Sequence, residues 1–167
     1  RNIVFILYLS TMMIPITVRL IPSYNLCRNL NMLDTYMGMI LPQVAWSIPF
    51  GTFLMRQFYM GIPKQLDEAA KIDGANHFQI FWKILLPNTK SSMATLGIYT
   101  FISAWNNLIW MLLSVRSESK WTVTLGISSI CGASVIKQPT WNLIMGVIVI
   151  GMIPVLILFF AFQKYFM

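Results

Sequence analysis

Apolar residues run almost unbroken through four segments of this chain, and polar residues gather between them. A helix needs about 20 mostly apolar residues to cross a bilayer. Segments 3–21, 36–55, 92–113 and 141–162 meet that length and predict four transmembrane helices. Pro15, Pro42, Pro49 and Pro154 fall inside them. Each proline lacks an N–H and kinks its helix, so packed neighbours must satisfy the freed carbonyls. Gly38, Gly51, Gly97, Gly146 and Gly151 read as positions of close helix approach.

The polar stretch between the second and third segments has a pattern of its own. Pro63 can open a helix at its first position, and Asp67 and Glu68 then suit the positive end of the helix dipole. Ala69, Ala70 and Lys71 favour helix, and Gly74 supplies a left-handed turn. Asn76 and Gln79 have the spacing of a capping box for a second helix, which Pro87 is expected to stop. On that helix Phe78, Phe81, Trp82 and Leu85 share one face at i, i+3, i+4, i+7 spacing. A loop has little core in which to bury such a face. It must meet the chain's own helix ends, a lipid surface or a partner protein. Asp67, Glu68 and Asp73 would be repelled by anionic lipid, which favours docking on protein.

Composition agrees with a membrane location. Of 167 residues, 57% are apolar and only 10% charged, where soluble domains carry about 25% charged residues. The fold class expected is an all-α integral membrane protein, a bundle of about four transmembrane helices with a helix-turn-helix loop. The net charge of +7 comes without a basic run or aromatic–basic interleaving, so no nucleic acid is expected as a partner. Arg1, Arg56, Lys64, Lys71, Lys83, Lys90 and Lys164 fall on one predicted side; Arg19, Arg28, Arg116, Lys120 and Lys137 fall on the other. The positive-inside bias makes the middle loop and both ends cytoplasmic, in a multi-pass protein with the lipid bilayer around it.

Cys27 and Cys131 lack metal-ligand spacing, a disulfide between them stays open, and no metal site is expected. The twelve methionines read as apolar filler, without the His or Cys neighbours of a copper site. His77 has no nucleophile beside it and reads as a contact residue. No catalytic residue is assigned. No phosphate-binding G-x-x-x-x-G-K-[ST] loop occurs, so ATP hydrolysis is not expected of this chain. Polar and aromatic groups within the spans are candidates for a solute path: Gln43, Ser47, Tyr99, Ser103, Asn106, Asn107 and Trp110. Interhelical hydrogen bonding is the other role open to them. All five acids lie outside the spans, which argues against a proton- or sodium-driven secondary transporter. A membrane anchor that recruits a cytoplasmic partner is the remaining rival; the polar, kinked spans speak against it. Arg19 suits an anionic solute or the membrane interface.

Glu68-Ala69-Ala70, Gly74 and Ile84-x-Leu86-Pro87, in a loop between spans, resemble the EAA loop of ABC-importer permeases. Ile72-Asp73-Gly74-Ala75 is similar to the carbohydrate-uptake branch, the maltose-type and glycerol-3-phosphate-type inner-membrane subunits. Leu41-Pro42, Arg56-Gln57-Phe58, the run Trp105 to Trp110 and Trp141-Asn142 extend the likeness; Ser92, Asn107 and Met111 depart from it. The resemblance implies one permease domain over 1–167, with the coupling loop at 63–87. It also implies a six-span fold, of which this chain lacks the first two spans. It assigns Glu68, Ala69, Ala70, Asp73, Gly74, Phe78, Phe81, Trp82, Leu86 and Pro87 to contact with a cytoplasmic ATPase dimer. That ATPase would hold ATP with Mg, and this chain would bind no cofactor. Further implied partners are a second homologous permease subunit and an extracellular or periplasmic solute-binding protein. The location implied is a bacterial or archaeal plasma (inner) membrane, and the cargo a sugar or related small polar solute. Residue 1 is Arg and no signal peptide precedes the body; no polar tail follows Tyr165, so a longer protein is expected.

Overall fold

The structure, a computed structural model, describes residues 2–137 and 141–163. Arg1 and Lys164, counted above in the charge bias, and Tyr165 lie outside the described residues. The described residues are mostly helical, with no strand among them.

The first predicted span is not one helix. α1 (Asn2–Ser10) and a short 3-10 turn (Thr11–Met13) lead to α2 (Ile16–Asn29), and the axis turns by 94° between them. Pro15 is the cause. A residue before proline is driven out of the helical region, and Ile14 is extended at φ −74°, ψ 118°. The second span runs on past its predicted end as α3 (Tyr36–Met60), 25 residues long. Pro42 and Pro49 lie within this helix. Pro42 has no N–H for the carbonyl of Gly38, one turn back. The indole Nε1 of Trp110 donates to that carbonyl instead, at 3.1 Å. A neighbouring helix thus satisfies the freed group, as expected of a packed bundle.

The third span is also broken, into α7 (Lys90–Trp105) and α8 (Leu108–Ser114), bent by 54°. Two asparagines compete with the helical ladder at the break. Asn106 donates its side-chain amide to Ile102 O at 3.0 Å, and Asn107 Oδ1 accepts from Trp110 N at 3.3 Å to cap α8. The fourth span, α10 (Trp141–Phe162), has the predicted bounds. Among the described residues two helices are therefore long and apolar enough to cross a membrane, or up to four if each bent pair is one span.

One helix was not foreseen. α9 (Val123–Lys137) occupies what was read as a loop before the fourth span. It is too short to cross a bilayer, and its serines and glycines hide it. Thr124 Oγ1 donates to Trp105 O, and Trp105 Nε1 donates to Gly151 O at 3.2 Å, so α7, α9 and α10 are joined through one tryptophan.

The core sits where α2, α8, α9 and the start of α3 meet, around Leu20, Cys27, Met39, Trp110, Met111, Val115 and Leu125. Cys27 and Cys131 are both free thiols. Asp34, left-handed at φ 57° in the α2–α3 loop, ties this end to the loop after α8. Its carboxylate accepts from Ser117 Oγ and from the N–H groups of Arg116 and Ser117, both at 3.0 Å; Lys120 Nζ donates to its carbonyl oxygen. The Ser117 hydroxyl and N–H, then the Arg116 N–H, hold this carboxyl well below the usual carboxylate range.

The glycines divide. Gly38 cannot carry a Cβ, which would lie 2.1 Å from Met32 O, and Gly51 and Gly151 face Leu96 and Ile127. Gly97 and Gly146 have nothing within 4 Å, so they are not packing positions within this chain.

Candidate functional site

Two features stand out, one at each end of the paired helices α3 and α7. The first is the unit between them. α4 (Lys64–Ile72) begins after Pro63, which sits at the N-cap, one position earlier than expected. Gly74 ends the helix at φ +79°. Ala75 N donates to Ala70 O at 2.9 Å and Gly74 N to Lys71 O at 3.1 Å. That pair of bonds is a Schellman termination, which requires a left-handed residue at this position. Asn76 and Gln79 then form the predicted capping box, with bonds of 2.8 and 2.9 Å, and start α5 (His77–Ile80).

Pro87 does not stop this helix. A π-helical turn (Phe81–Leu85) widens the backbone ahead of it, and helix continues as α6 (Leu86–Asn88), which leads into α7. In the wider turn Leu86 N donates to Phe81 O, an i−5 bond. The widening accommodates a residue that has no N–H of its own to give.

Packing in the unit also differs from the predicted face. Ala70 and Ile80 turn inward, 6% and 2% exposed. Phe81 packs towards Tyr59 at the end of α3, with ring centroids 6.4 Å apart. Phe78 and Trp82, 6.0 Å apart, face outward with Ile72, which is 87% exposed. Glu68, Ala69, Asp73 and Pro87 are exposed as well, while Leu86 is half-buried. Asp67 pairs with Lys71 one turn on, at 2.6 Å on the surface.

The second feature is a cleft of about 420 Å³ between α2, α3 and α7. Gln43 and Ser47 from α3 and Tyr99 and Ser103 from α7 line it, as does Asn107 at the α7–α8 break. Five of the seven proposed path residues thus converge, although they are spread over two separate apolar segments. Asn106 and Trp110 do not join them. Asn106 is exposed and bonds its own helix, and Trp110 is fully buried in the core. Sequence reasoning read Trp110 as lining because an aromatic in a span looks alike in either place.

Three further residues shape the cleft. Phe50 and Tyr99 pack at 4.4 Å between centroids, closing one wall. Trp46 meets Trp110 edge-on at 5.2 Å. Over the Trp46 ring, 5.7 Å from its centroid, lies the Arg19 guanidinium, which also lines the cleft. Neutral amides, hydroxyls and one cation stand in this lining among aromatic faces and the apolar side chains of Ile16, Ile40, Val44 and Ala104; no carboxylate and no histidine among the described residues is part of it.

Apolar helices around a cleft that holds a few polar groups, with a helix-turn-helix between two of them, fit a membrane-embedded transport component. Residues 1–167 match the family described as "Binding-protein-dependent transport system inner membrane component", and the chain belongs to that family. It is similar to the sn-glycerol-3-phosphate transport system permease protein UgpE of Yersinia enterocolitica, 40% identical over 99% of this chain and 58% of that protein. It is also similar to the arabinooligosaccharides transport system permease protein AraQ of Bacillus subtilis, 34% identical over 99% of this chain and 57% of that protein. The chain therefore spans well under two thirds of these relatives. Among solved structures, it superposes on a bacterial ABC transporter involved in the import of the acidic polysaccharide alginate. The TM-score is 0.79 at 28% identity, covering all of this chain and 62% of that one.

Proposed function

We propose that this chain is the core of a permease subunit in an ATP-driven importer that moves a carbohydrate-type or related small polar solute into the cell. The observation that carries the reading is connectivity. α4–α6 join the end of α3 to the start of α7, and the same two helices form the walls of the cleft. A push on the loop reaches the solute path through these two helices, α3 carrying Pro49 between the loop and the cleft. Rigid-body tilting of this kind is a common means of switching a site between two faces.

Exposed Ile72, Phe78 and Trp82 form the docking ridge on the cytoplasmic side, and a partner ATPase dimer holding ATP with Mg receives it. Burying each large side chain there stabilises the contact by about 1.5–3 kcal/mol. Glu68, Ala69 and Asp73 surround the ridge, and Gly74 sets the angle between its helices. A second, homologous permease subunit and an external solute-binding protein complete the assembly in a bacterial inner membrane. Two further spans give the whole subunit six. The named solutes of the relatives, sn-glycerol-3-phosphate and arabinooligosaccharides, set the chemical range.

Gly74→Trp tests the reading. Nothing lies within 4 Å of the position, so insertion and assembly should survive, while the left-handed turn and the docking angle should not. ATP-driven uptake is expected to fall with the subunit still present in the membrane. Uptake at the normal rate would remove the loop from the coupling path.

A further inference from the structure

The cleft holds one cation, and its charge is unmatched. Arg19 comes from α2, its guanidinium rests on Trp46, and its Nε is buried without a hydrogen-bond partner among the described residues. A buried, unpaired guanidinium donor costs free energy unless something accepts from it. The chain's five carboxylates are all accounted for elsewhere. Asp34 is bonded to Arg116, Ser117 and Lys120; Asp67 is paired with Lys71; Glu68 and Asp73 lie on the coupling loop; Glu118 lies in the loop after α8. None of them lines the cleft.

A long basic side chain near a span end usually extends to the membrane interface. Here the guanidinium lies over Trp46, 5.7 Å from its ring centroid; Trp46 meets Trp110 edge-on, and Trp110 is tied to Gly38 O. A guanidinium carries its donors in a fork geometry that fits a carboxylate or phosphate. Around that fork, Gln43, Ser47, Thr100, Ser103 and Asn107 offer neutral polar groups of the kind that suit hydroxyls.

We propose that Arg19 is the specificity-determining residue of this cleft and that the solute is an anionic polyol or sugar, carrying a phosphate or carboxylate. The proposal rests on the permease reading above and sharpens it from a polar solute to a charged one. Trp46 acts as a positioning residue for the guanidinium.

The test uses the complete importer, with its own partner subunits, in vesicles of phosphatidylcholine that contain no anionic lipid. An effect of Arg19 there belongs to the solute rather than to a lipid headgroup. The probes are sn-glycerol 3-phosphate and maltotriose, each labelled, with ATP inside or outside as assembly requires. Uptake of the phosphate ester is expected to exceed that of the neutral sugar. Arg19→Gln is expected to reduce uptake of the ester by about tenfold or more, the scale of a lost charge-assisted pair. Arg19→Lys keeps the charge and is expected to restore part of it, with uptake compared per assembled complex in all three proteins. ATP-driven uptake of maltotriose in preference to the ester, or ester uptake unchanged in Arg19→Gln, overturns the proposal and leaves the importer reading in place. Absence of ATP-driven uptake of either probe by an intact complex overturns both.

Discussion

Pro42, Gly38 and Trp110 form a unit whose energetics can be isolated. Pro42 leaves the Gly38 carbonyl without its helical donor, and Trp110 Nε1 replaces that donor at 3.1 Å in a fully buried setting. Trp110→Phe removes the N–H and some packing. The stranded carbonyl alone should cost about 1–3 kcal/mol. Pro42→Ala returns an N–H to the helix. In the double variant the packing loss persists, but the carbonyl is bonded again. The two changes should therefore couple by about 1–2 kcal/mol, at or above the average of about 0.6 kcal/mol found for hydrogen bonds between membrane helices. Reversible SDS titration in mixed micelles, followed by far-UV circular dichroism, gives the four stabilities of the cycle. Additivity within about 0.5 kcal/mol would refute the claim that the indole stands in for the missing N–H. It would leave Trp110 as packing alone.

Two further perturbations probe the ends of the molecule. Asn76→Ala removes the side-chain oxygen that accepts from Gln79 N at the start of α5, leaves the backbone N–H of residue 76 free to donate to Gln79 Oε1, and should destabilise that turn by about 1 kcal/mol. Limited proteolysis of the 74–80 segment should speed up about fivefold, and an unchanged rate would deny the box a stabilising role. Asp34→Asn loosens the tie between the α2–α3 loop and the segment after α8. The native carboxyl is held below its usual range, so its contribution is fully present above that range and is lost only as pH falls through the lowered value. The stability gap between native and Asp34→Asn protein should stay constant from about pH 8 to about pH 5. A gap that closes near neutral pH would contradict the hydrogen-bonded, charged carboxylate.

Much of the helix-turn-helix unit was legible in the sequence because its determinants are local. Asn76 and Gln79 are three residues apart, and Gly74 needs only its own φ to end α4. The π-helical turn before Pro87 was not legible, since the sequence shows the proline but not how the backbone widens around it. The two broken spans sit between these cases. Pro15 and the pair Asn106-Asn107 mark the places, but the angles of 94° and 54° depend on what the halves pack against. α9 escaped notice because a helix of 15 residues with scattered Ser and Gly has neither the length of a span nor a single apolar face.

The sequence by itself determined that this chain lives in a membrane, where its long helices lie, and that a capped helix-turn-helix joins two of them. Composition and short-range spacing carry that information, since bilayer thickness and backbone capping act over one segment at a time. The tertiary structure alone decided which polar residues share a cleft. It withdrew Trp110 to the core and set Arg19 on the face of Trp46, where its charge has no counterpart. Such assignments depend on contacts between residues far apart in the chain, and helix periodicity does not encode which helix faces which.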